Sequence, residues 1–307
     1  PAIDLDFPTL YSANTFDKAV GVNDVAGGCY YEAIYVAIQD GINNAEAGAV
    51  LDIAAATYTG SVSLNKSVTL NGANAGIHPA VGMHPTELVG TRGDETILEY
   101  GNGPGAITVS ADNVTLDGLK ITSTGQRIID SYADANYFTM KNCIWVNTSP
   151  DAPQGTMQFG GGSHTNMTLE FNHFTNGATD LLYAGGGPWD DLTIQYNYIN
   201  SEGNAVFWSG GLLVDGIIKG NEFDGTINGT PGTGSGYPNI GLAGNIQIID
   251  NYFHDLFYNA MQVGIVDGSI TGNTFENIYP WGTYGGAAIV LWGGLYGTAV
   301  SNNVTIT

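Results

Sequence analysis

The sequence predicts an all-β chain: one long coil of short parallel strands, with a helix at its N-terminal mouth. Three observations carry that expectation. A unit of the form apolar-x-x-Asn-x-apolar recurs through the second half of the chain. Glycine supplies 45 of the 307 residues with no G-X-Y period, which points to tight corners and excludes a collagen helix. The apolar residues fall in short alternating segments and lack the 3.6-residue spacing of helical repeats.

The units run in order as Leu169-Glu-Phe-Asn172-His-Phe174, Ile194-Gln-Tyr-Asn197-Tyr-Ile199 and Ile218-Lys-Gly-Asn221-Glu-Phe223. Ile248-Ile-Asp-Asn251-Tyr-Phe253, Ile270-Thr-Gly-Asn273-Thr-Phe275 and Ala299-Val-Ser-Asn302-Asn-Val304 follow. Earlier copies keep the apolar positions without the Asn, at Leu70, Leu116 and Met140. From Leu116 the first positions are 24, 29, 25, 24, 30, 22 and 29 residues apart. Three residues upstream lies a second column: Ser67, Asn113, Tyr137, Asn166, Asp191, Asp215, Asn245, Asp267 and Tyr296. Such a period suits coils of two or three strands stacked about 4.8 Å apart. Like residues then stack, so about nine coils span roughly 40 Å. Asn172, Asn197, Asn221, Asn251, Asn273 and Asn302 are expected inside a corner, bonded to one another and to backbone.

Residues 1–50 read as an N-terminal cap and 51–307 as the coil. Within the cap, 1–30 read as irregular, and 31–46 as an amphipathic helix that plugs the tube and shields its first strand edge. Two Pro- or Gly-rich stretches, 74–104 and 224–238, read as insertions on the flank. The chain stops at Val304-Thr-Ile-Thr307 in strand-like alternation, so an open coil end is expected there. That end could seat a further subunit head to tail.

The Asn-bearing units resemble NosD-type repeats of bacterial and archaeal surface proteins. The opening segments Ala37-Ile-Gln-Asp-Gly-Ile42, Gly48-Ala-Val-Leu-Asp-Ile53, Tyr58-Thr-Gly60 and Val68-Thr-Leu-Asn-Gly72 are similar to the first coil of that group. Residues 51–307 thus resemble a single right-handed parallel β-helix of the pectate-lyase-like superfold. The resemblance implies an extracellular or cell-surface location. It leaves function open, since the superfold hosts lyases, hydrolases, epimerases, tailspikes, adhesins and structural shells.

Charge narrows the choice. Twenty-nine Asp and Glu against 7 Lys and Arg give a net charge of −22. Phosphate neutralisation needs basic clusters, so nucleic acid is excluded as a partner. Anionic lipid is disfavoured on the same ground. No apolar run is long enough for a membrane helix, so no membrane insertion is expected. Cys29 and Cys143 are either one long-range disulfide or two buried thiols. Asn65, Asn113, Asn147, Asn166, Asn228 and Asn303 begin N-x-S/T triplets, which permit glycosylation without arguing for it.

Recognisable catalytic patterns are scarce. A uronate lyase needs a basic residue, and Lys120, Lys141 and Lys219 read as solvent-facing spacers in or beside the repeats, with Arg127 the remaining cation. Glycoside hydrolysis needs two carboxylates on one face, for which Asp180, Asp190, Asp191, Glu202 and Asp215 are candidates. Asp191 and Asp215 fall in the second column and read first as corner residues. Stacked about 5 Å apart they also offer a place for Ca²⁺. No other cofactor is expected. His78, His84, His164, His173 and His254 show no zinc- or copper-type spacing, and His173 and His254 are expected to point outward. No nucleophile elbow or phosphate loop occurs.

Aromatics remain. Trp189, Trp208, Trp281, Tyr284 and Trp292 are candidate contacts for a glycan or a neighbouring subunit, and the corners at Trp189 and Tyr279–Tyr284 are expected to be the most exposed. Two functions follow. The first is a structural, self-assembling surface protein (a sheath, S-layer or filament subunit) that forms homo-oligomers or polymers. The alternative is a carbohydrate-active β-helix, a lyase, hydrolase or tailspike-like binder of polysaccharide, with Asp190, Asp191 and Asp215 as its acids.

Overall fold

The computed structural model describes residues 20–23, 31–79, 91–101, 104–124, 127–131, 133–147, 157–160, 162–176, 181–184, 189–201, 207–209, 215–233, 238–281, 284–291 and 304–307. Three stacked sheets make the tube, of 12, 9 and 9 strands. The first sheet runs Ala49–Ile53, Val68–Asn71, Thr115–Asp117, Thr139–Lys141, Thr168–Glu170, Leu192–Gln195, Gly216–Lys219, Ile246–Ile249, Ser269–Thr271 and Thr305–Ile306. The chain turns from each of these but the last into a strand of the second sheet. Those strands are Ala56–Thr59, Thr96–Tyr100, Lys120–Ser123, Ile144–Asn147, His173–Asn176, Tyr198–Ser201, Glu222–Asp224, Tyr252–His254 and Thr274–Glu276. A third-sheet strand completes each coil, from Val62–Leu64 through to Ala287–Leu291. Successive strands pair in parallel one coil apart, and crossovers between parallel strands are right-handed. The chain is a right-handed parallel β-helix.

Register converts the repeat into interior columns. Leu51, Leu70, Leu116, Met140, Leu169, Ile194, Ile218, Ile248 and Ile270 stand in line along the first sheet, each at most 1% exposed. The second sheet lines up Leu98, Ile121, Trp145, Phe174, Ile199, Phe223, Phe253 and Phe275. Phe223 and Phe253 stack at 4.6 Å, and Phe253 and Phe275 at 5.2 Å. Burying each such ring contributes about 1.5–3 kcal/mol.

Asparagine fills the corner between the first and second sheets. The backbone N–H and the Nδ2 of Asn197 both donate to Asn221 Oδ1, each at 2.9 Å. Its Nδ2 also donates to Leu169 O, one coil back. The same bonds join Asn172 to Asn197, Asn221 to Asn251 and Asn251 to Asn273. Cys143 occupies this position where the ladder begins. Its N–H donates to Asn172 Oδ1, and Sγ lies 3.1 Å from Lys141 O and 3.7 Å from Leu116 O. These are the carbonyls an Asn amide would reach from that place. Cys143 is a free buried thiol, and Cys29 lies outside the described residues. Burial pushes the Cys143 thiol up to about 12. Asn302 also lies outside the described residues, and the last unit differs from expectation, because Ile306 and not Ala299 pairs with Ile270 in the first-sheet column, which takes Asn302 out of ladder register.

The corners need left-handed backbone, and the second column supplies it. Asn113, Tyr137, Asn166, Asp191, Asp215, Asn245 and Asp267 all have positive φ. A further left-handed position immediately precedes the ladder, at Gly118, Asn142, Phe171, Tyr196, Gly220, Asp250 and Gly272. At Gly118 no larger residue fits, because a Cβ would run into the backbone of Asn74 and Ala75.

The cap differs from expectation. The helix, α1, spans only Ile38–Asn44. Tyr31–Tyr35 is a strand, because Val20–Asn23, inside the segment expected to be irregular, pairs antiparallel with it and with Ala49–Ile53. The first sheet is thus extended before its first coil, and α1 covers the mouth with Ile38, Gly41 and Ile42. Gln39 satisfies an edge strand directly: Ser63 N donates to its Oε1 at 2.7 Å. Lys66 Nζ donates to Ile42 O, Asn43 O and Ala45 O, a cation at the negative end of α1.

The expected insertion 74–104 is shorter too. Thr96–Tyr100 alternates and pairs with Ala56–Thr59 and Lys120–Ser123 as an ordinary coil strand. Asn74 ties the two ends of what remains, donating to Asp94 O and accepting from Gly93 N. In 224–238 the strand Glu222–Asp224 ends and Pro238–Gly244 begins, with a turn at 227–230 between them. Among the described residues no helix is long and apolar enough to cross a membrane. Asn147 of the glycosylation triplets is 2% exposed and thus inaccessible.

The ladder makes stability position-dependent. Asn221→Ala removes four buried side-chain hydrogen bonds, those accepted from Asn197 N and Asn197 Nδ2 and those donated to Ile194 O and Asn251 Oδ1, and is expected to cost about 3 kcal/mol or more in urea denaturation. Asn273→Ala, at a half-buried rung, is expected to cost about 1–2 kcal/mol. Equal losses at the two positions would contradict a ladder that gains strength from burial. Cys143 is expected to resist alkylation in the native protein and to react once the chain unfolds.

Candidate functional site

Among the described residues, two groups of chemically capable side chains lie on the outside of the tube. The first is the group expected from the sequence. Asp190, Asp191 and Asp215 each bring a carboxylate oxygen within 4.8 Å of the others. Asp190 lies in a short strand pair with Thr165, and Asp191 and Asp215 hold corner positions with φ of 53° and 31°. Asp215 Oδ1 accepts from Asn245 Nδ2 at 2.8 Å. Corner geometry therefore accounts for Asp at 191 and 215, as it does for Asn at 166 and 245. Asp180 and Glu202 lie outside the described residues.

Trp189 is not a surface contact. It is 2% exposed and packs inward, 5.7 Å from Phe159 and 5.0 Å from the buried His164. Its strand pairing with His164 turns the indole into the tube while the neighbouring Asp190 faces out. The exposed corner expected there is thereby corrected. Trp208, Trp281 and Tyr284 lie in strands, but their side chains are outside the described residues, as is all of Trp292. Tyr279 is 39% exposed, as expected. Elsewhere aromatics stack in the wall: Phe171 on Tyr196 at 5.2 Å and His78 on Phe171 at 6.0 Å.

The second group has no counterpart in the spacing of the sequence. On the outer face of the second sheet, Tyr198, Glu222, Tyr252 and Thr274 form one row, and Asn200, Asp224, His254 and Glu276 the next. Diagonal bonds link the rows. Tyr198 Oη donates to Asp224 Oδ2 at 2.6 Å, and Tyr252 Oη repeats the bond two coils on, to Glu276 Oε2 at 2.7 Å. The Tyr252 and His254 rings stack at 4.4 Å.

His254 sits at the centre. Its Nε2 is 3.1 Å from Glu222 Oε1, and its Nδ1 is 3.0 Å from Asp255 Oδ2 and 3.8 Å from Asp224 Oδ1. Asp255 reaches it from a left-handed corner, φ 52°, over Gly225, where a Cβ would strike the Asp255 carbonyl. His254 and Glu222 face outward as strand alternation requires, and stacking makes neighbours of residues 32 positions apart. The rule that metal-ligating residues cluster in sequence misses such a set.

Charge states follow from surroundings. Burial lowers the His254 pKa, but bonds to Glu222 and Asp255 and the charges of Asp224 and Glu222 outweigh it, so the ring is pushed up to about 9. The bond to Glu276 pushes Tyr252 up to about 12, with burial adding. Tyr198 rises through burial and then through its bond to Asp224. Both phenols are thus donors at neutral pH. His173 shares the first row with Tyr198, and burial lowers its pKa, so its imidazole is neutral. His173 and His254 are three coils apart, roughly 14 Å, too far to serve a single reacting atom.

No protein-family model matches the chain. No curated protein matches it either. Among solved structures it is similar to the A-module of the Azotobacter vinelandii mannuronan C-5 epimerase AlgE4. Identity is 12% and the TM-score 0.33, over 88% of this chain and 91% of that one.

The raised pKa of His254 has a definite sign. A folded value of about 9 against 6.5 means a stabilising contribution that is full below about pH 6.5 and is lost as pH rises through about 9. NMR titration of the ring in the presence of a chelator is expected to give a midpoint well above 7. In Glu222→Gln the midpoint is expected to fall. A wild-type midpoint at 6.5 or below would contradict the clamped geometry.

Proposed function

We propose that the protein is a carbohydrate-active β-helix that binds glycan along the outer face of its second sheet. The observation that supports this is the paired Tyr–carboxylate rows around His254, repeated in register down an outer wall. Phenol oxygens, carboxylates and the neutral His173 offer hydroxyl groups both donors and acceptors, and the Tyr faces offer stacking for sugar rings. The two described rows of this wall from Tyr198 onward carry three carboxylates, Glu222, Asp224 and Glu276, with Asp255 at the adjoining corner, and no Lys or Arg. A neutral glycan therefore suits it better than a polyuronate, which would need a basic partner or a bridging cation. The five aromatics offered as contacts for either a glycan or a neighbouring subunit favour neither reading, since Trp189 is interior and the other four side chains lie outside the described residues.

The test is retention on immobilised neutral and uronate polysaccharides, with turnover assayed alongside. Wild-type protein is expected to be retained on at least one neutral glycan. Tyr252→Ala and Glu276→Gln should weaken that binding about 5- to 30-fold, in the range of 1–2 kcal/mol for a lost hydrogen bond and ring contact. Asp190→Asn should leave it unchanged. Regular tubes or sheets in electron micrographs, with no retention on any glycan, would overturn the proposal in favour of a structural subunit.

A further inference from the structure

The His254 group also has the form of a coordination sphere. Asp224, His254 and Asp255 each present one ligand atom, and these atoms lie within 4.8 Å of one another. The individual separations from His254 Nδ1, 3.0 Å to Asp255 Oδ2 and 3.8 Å to Asp224 Oδ1, decide more. Ligands about 2.0–2.2 Å from one divalent ion sit roughly 3–4 Å from each other. The same spacing serves an imidazolium hydrogen-bonded to carboxylates, so the bonds behind each ligand atom carry the argument further.

The outer atoms of the same three residues are held from elsewhere. Glu222 Oε1 takes the other ring nitrogen, Nε2, at 3.1 Å, which fixes the ring orientation and points Nδ1 inward. Tyr198 Oη holds Asp224 Oδ2, and Asn277 Nδ2 holds Asp255 Oδ1 at 3.1 Å. Thr226 N also donates to Asp224 Oδ1 at 2.7 Å, which leaves that oxygen a second lone pair. The supports come from residues 198, 222 and 277, on three different coils. A carboxylate behind a histidine, with donors behind each ligating carboxylate, is the arrangement that orients metal ligands.

We propose that His254 Nδ1, Asp224 and Asp255 bind a first-row divalent cation of the zinc class, with Glu222, Tyr198 and Asn277 as supporting residues. One nitrogen and two carboxylates favour such an ion over Ca²⁺, which takes six to eight oxygens. The carboxylates that now face a ring proton face the cation that displaces it, and the proton leaves to solvent. The site stands on its own coordinates and does not depend on the glycan reading.

The test is calorimetric titration of the chelator-treated full chain with Zn²⁺ and separately with Ca²⁺, no glycan present, and Co²⁺ absorption as a spectroscopic readout. One equivalent of Zn²⁺ is expected to bind. His254→Gln should weaken it at least about 100-fold, and Glu222→Gln about 10- to 100-fold while all three ligands remain. Asp191→Asn, in the other acidic group, should leave it unchanged. Circular dichroism confirms that each variant is folded, and Asp255→Asn replaces His254→Gln if that variant is not. Three results would overturn the proposal: no saturable Zn²⁺ binding, Zn²⁺ binding that survives His254→Gln but not Asp191→Asn, or Ca²⁺ binding without Zn²⁺. Each can occur whether or not glycan is retained, so the two proposals fail separately.

Discussion

A buried amide whose neighbours above and below are also amides can satisfy nearly all its hydrogen-bonding groups only if the coils keep one register. That is the condition imposed by Asn172, Asn197, Asn221, Asn251 and Asn273. From Asn197 on, each Oδ1 accepts from the backbone and side chain of the preceding rung, and each Nδ2 also reaches a first-sheet carbonyl one coil back. A slip of one residue would break these bonds together and turn the Leu and Ile column outward. Interior columns gain their contact area only once that register is fixed. Where the ladder starts, a thiol replaces the amide and keeps the same carbonyl neighbours, and the first-sheet column continues through Leu116, Leu70 and Leu51 without an amide beside it.

The same register determines what the outer wall can do. Strand alternation sends every second residue of the second sheet outward, and stacking sets these about 4.8 Å apart. A Tyr on one coil then faces a carboxylate on the next, at 198 and 224 and again at 252 and 276. The acidic composition follows a similar logic. Asp at 191, 215, 250, 255 and 267 occupies left-handed corner positions that L-residues other than Gly, Asn and Asp adopt at a cost. Part of the −22 charge is thus a consequence of corner geometry. What distinguishes Asp255 and Asp224 is the imidazole brought between them and Glu222.

Much of the architecture was legible because a repeat reports its own geometry. The Asn ladder from Asn172 to Asn273, the corner column three residues upstream and the capping role of the helix that carries Ile38 and Ile42 could be read from the chain alone. The failures have specific causes. Tyr31–Tyr35 looked helical in isolation and became a strand because Val20–Asn23 offered it a partner. Thr96–Tyr100 looked like part of an insertion because Pro and Gly precede it, yet its alternation fits the second sheet. Trp189 looked exposed beside three glycines, but pairing with His164 turns the indole into the tube.

By itself, then, the sequence determined the period, the residues that face inward and the corners that need Gly, Asn or Asp. These depend on local conformation and on a pattern repeated often enough to be unambiguous. Only the tertiary structure decided which outward residues meet. Glu222, Asp224, His254, Asp255 and Tyr198 are drawn from three coils, and their distances depend on how far each coil is offset from the next. Coil lengths of 24, 30 and 22 residues between Ile194 and Ile270 hide that offset in the linear chain. The difference is absorbed in the loops, so the strands stay in step and the side chains that share a wall are fixed by stacking.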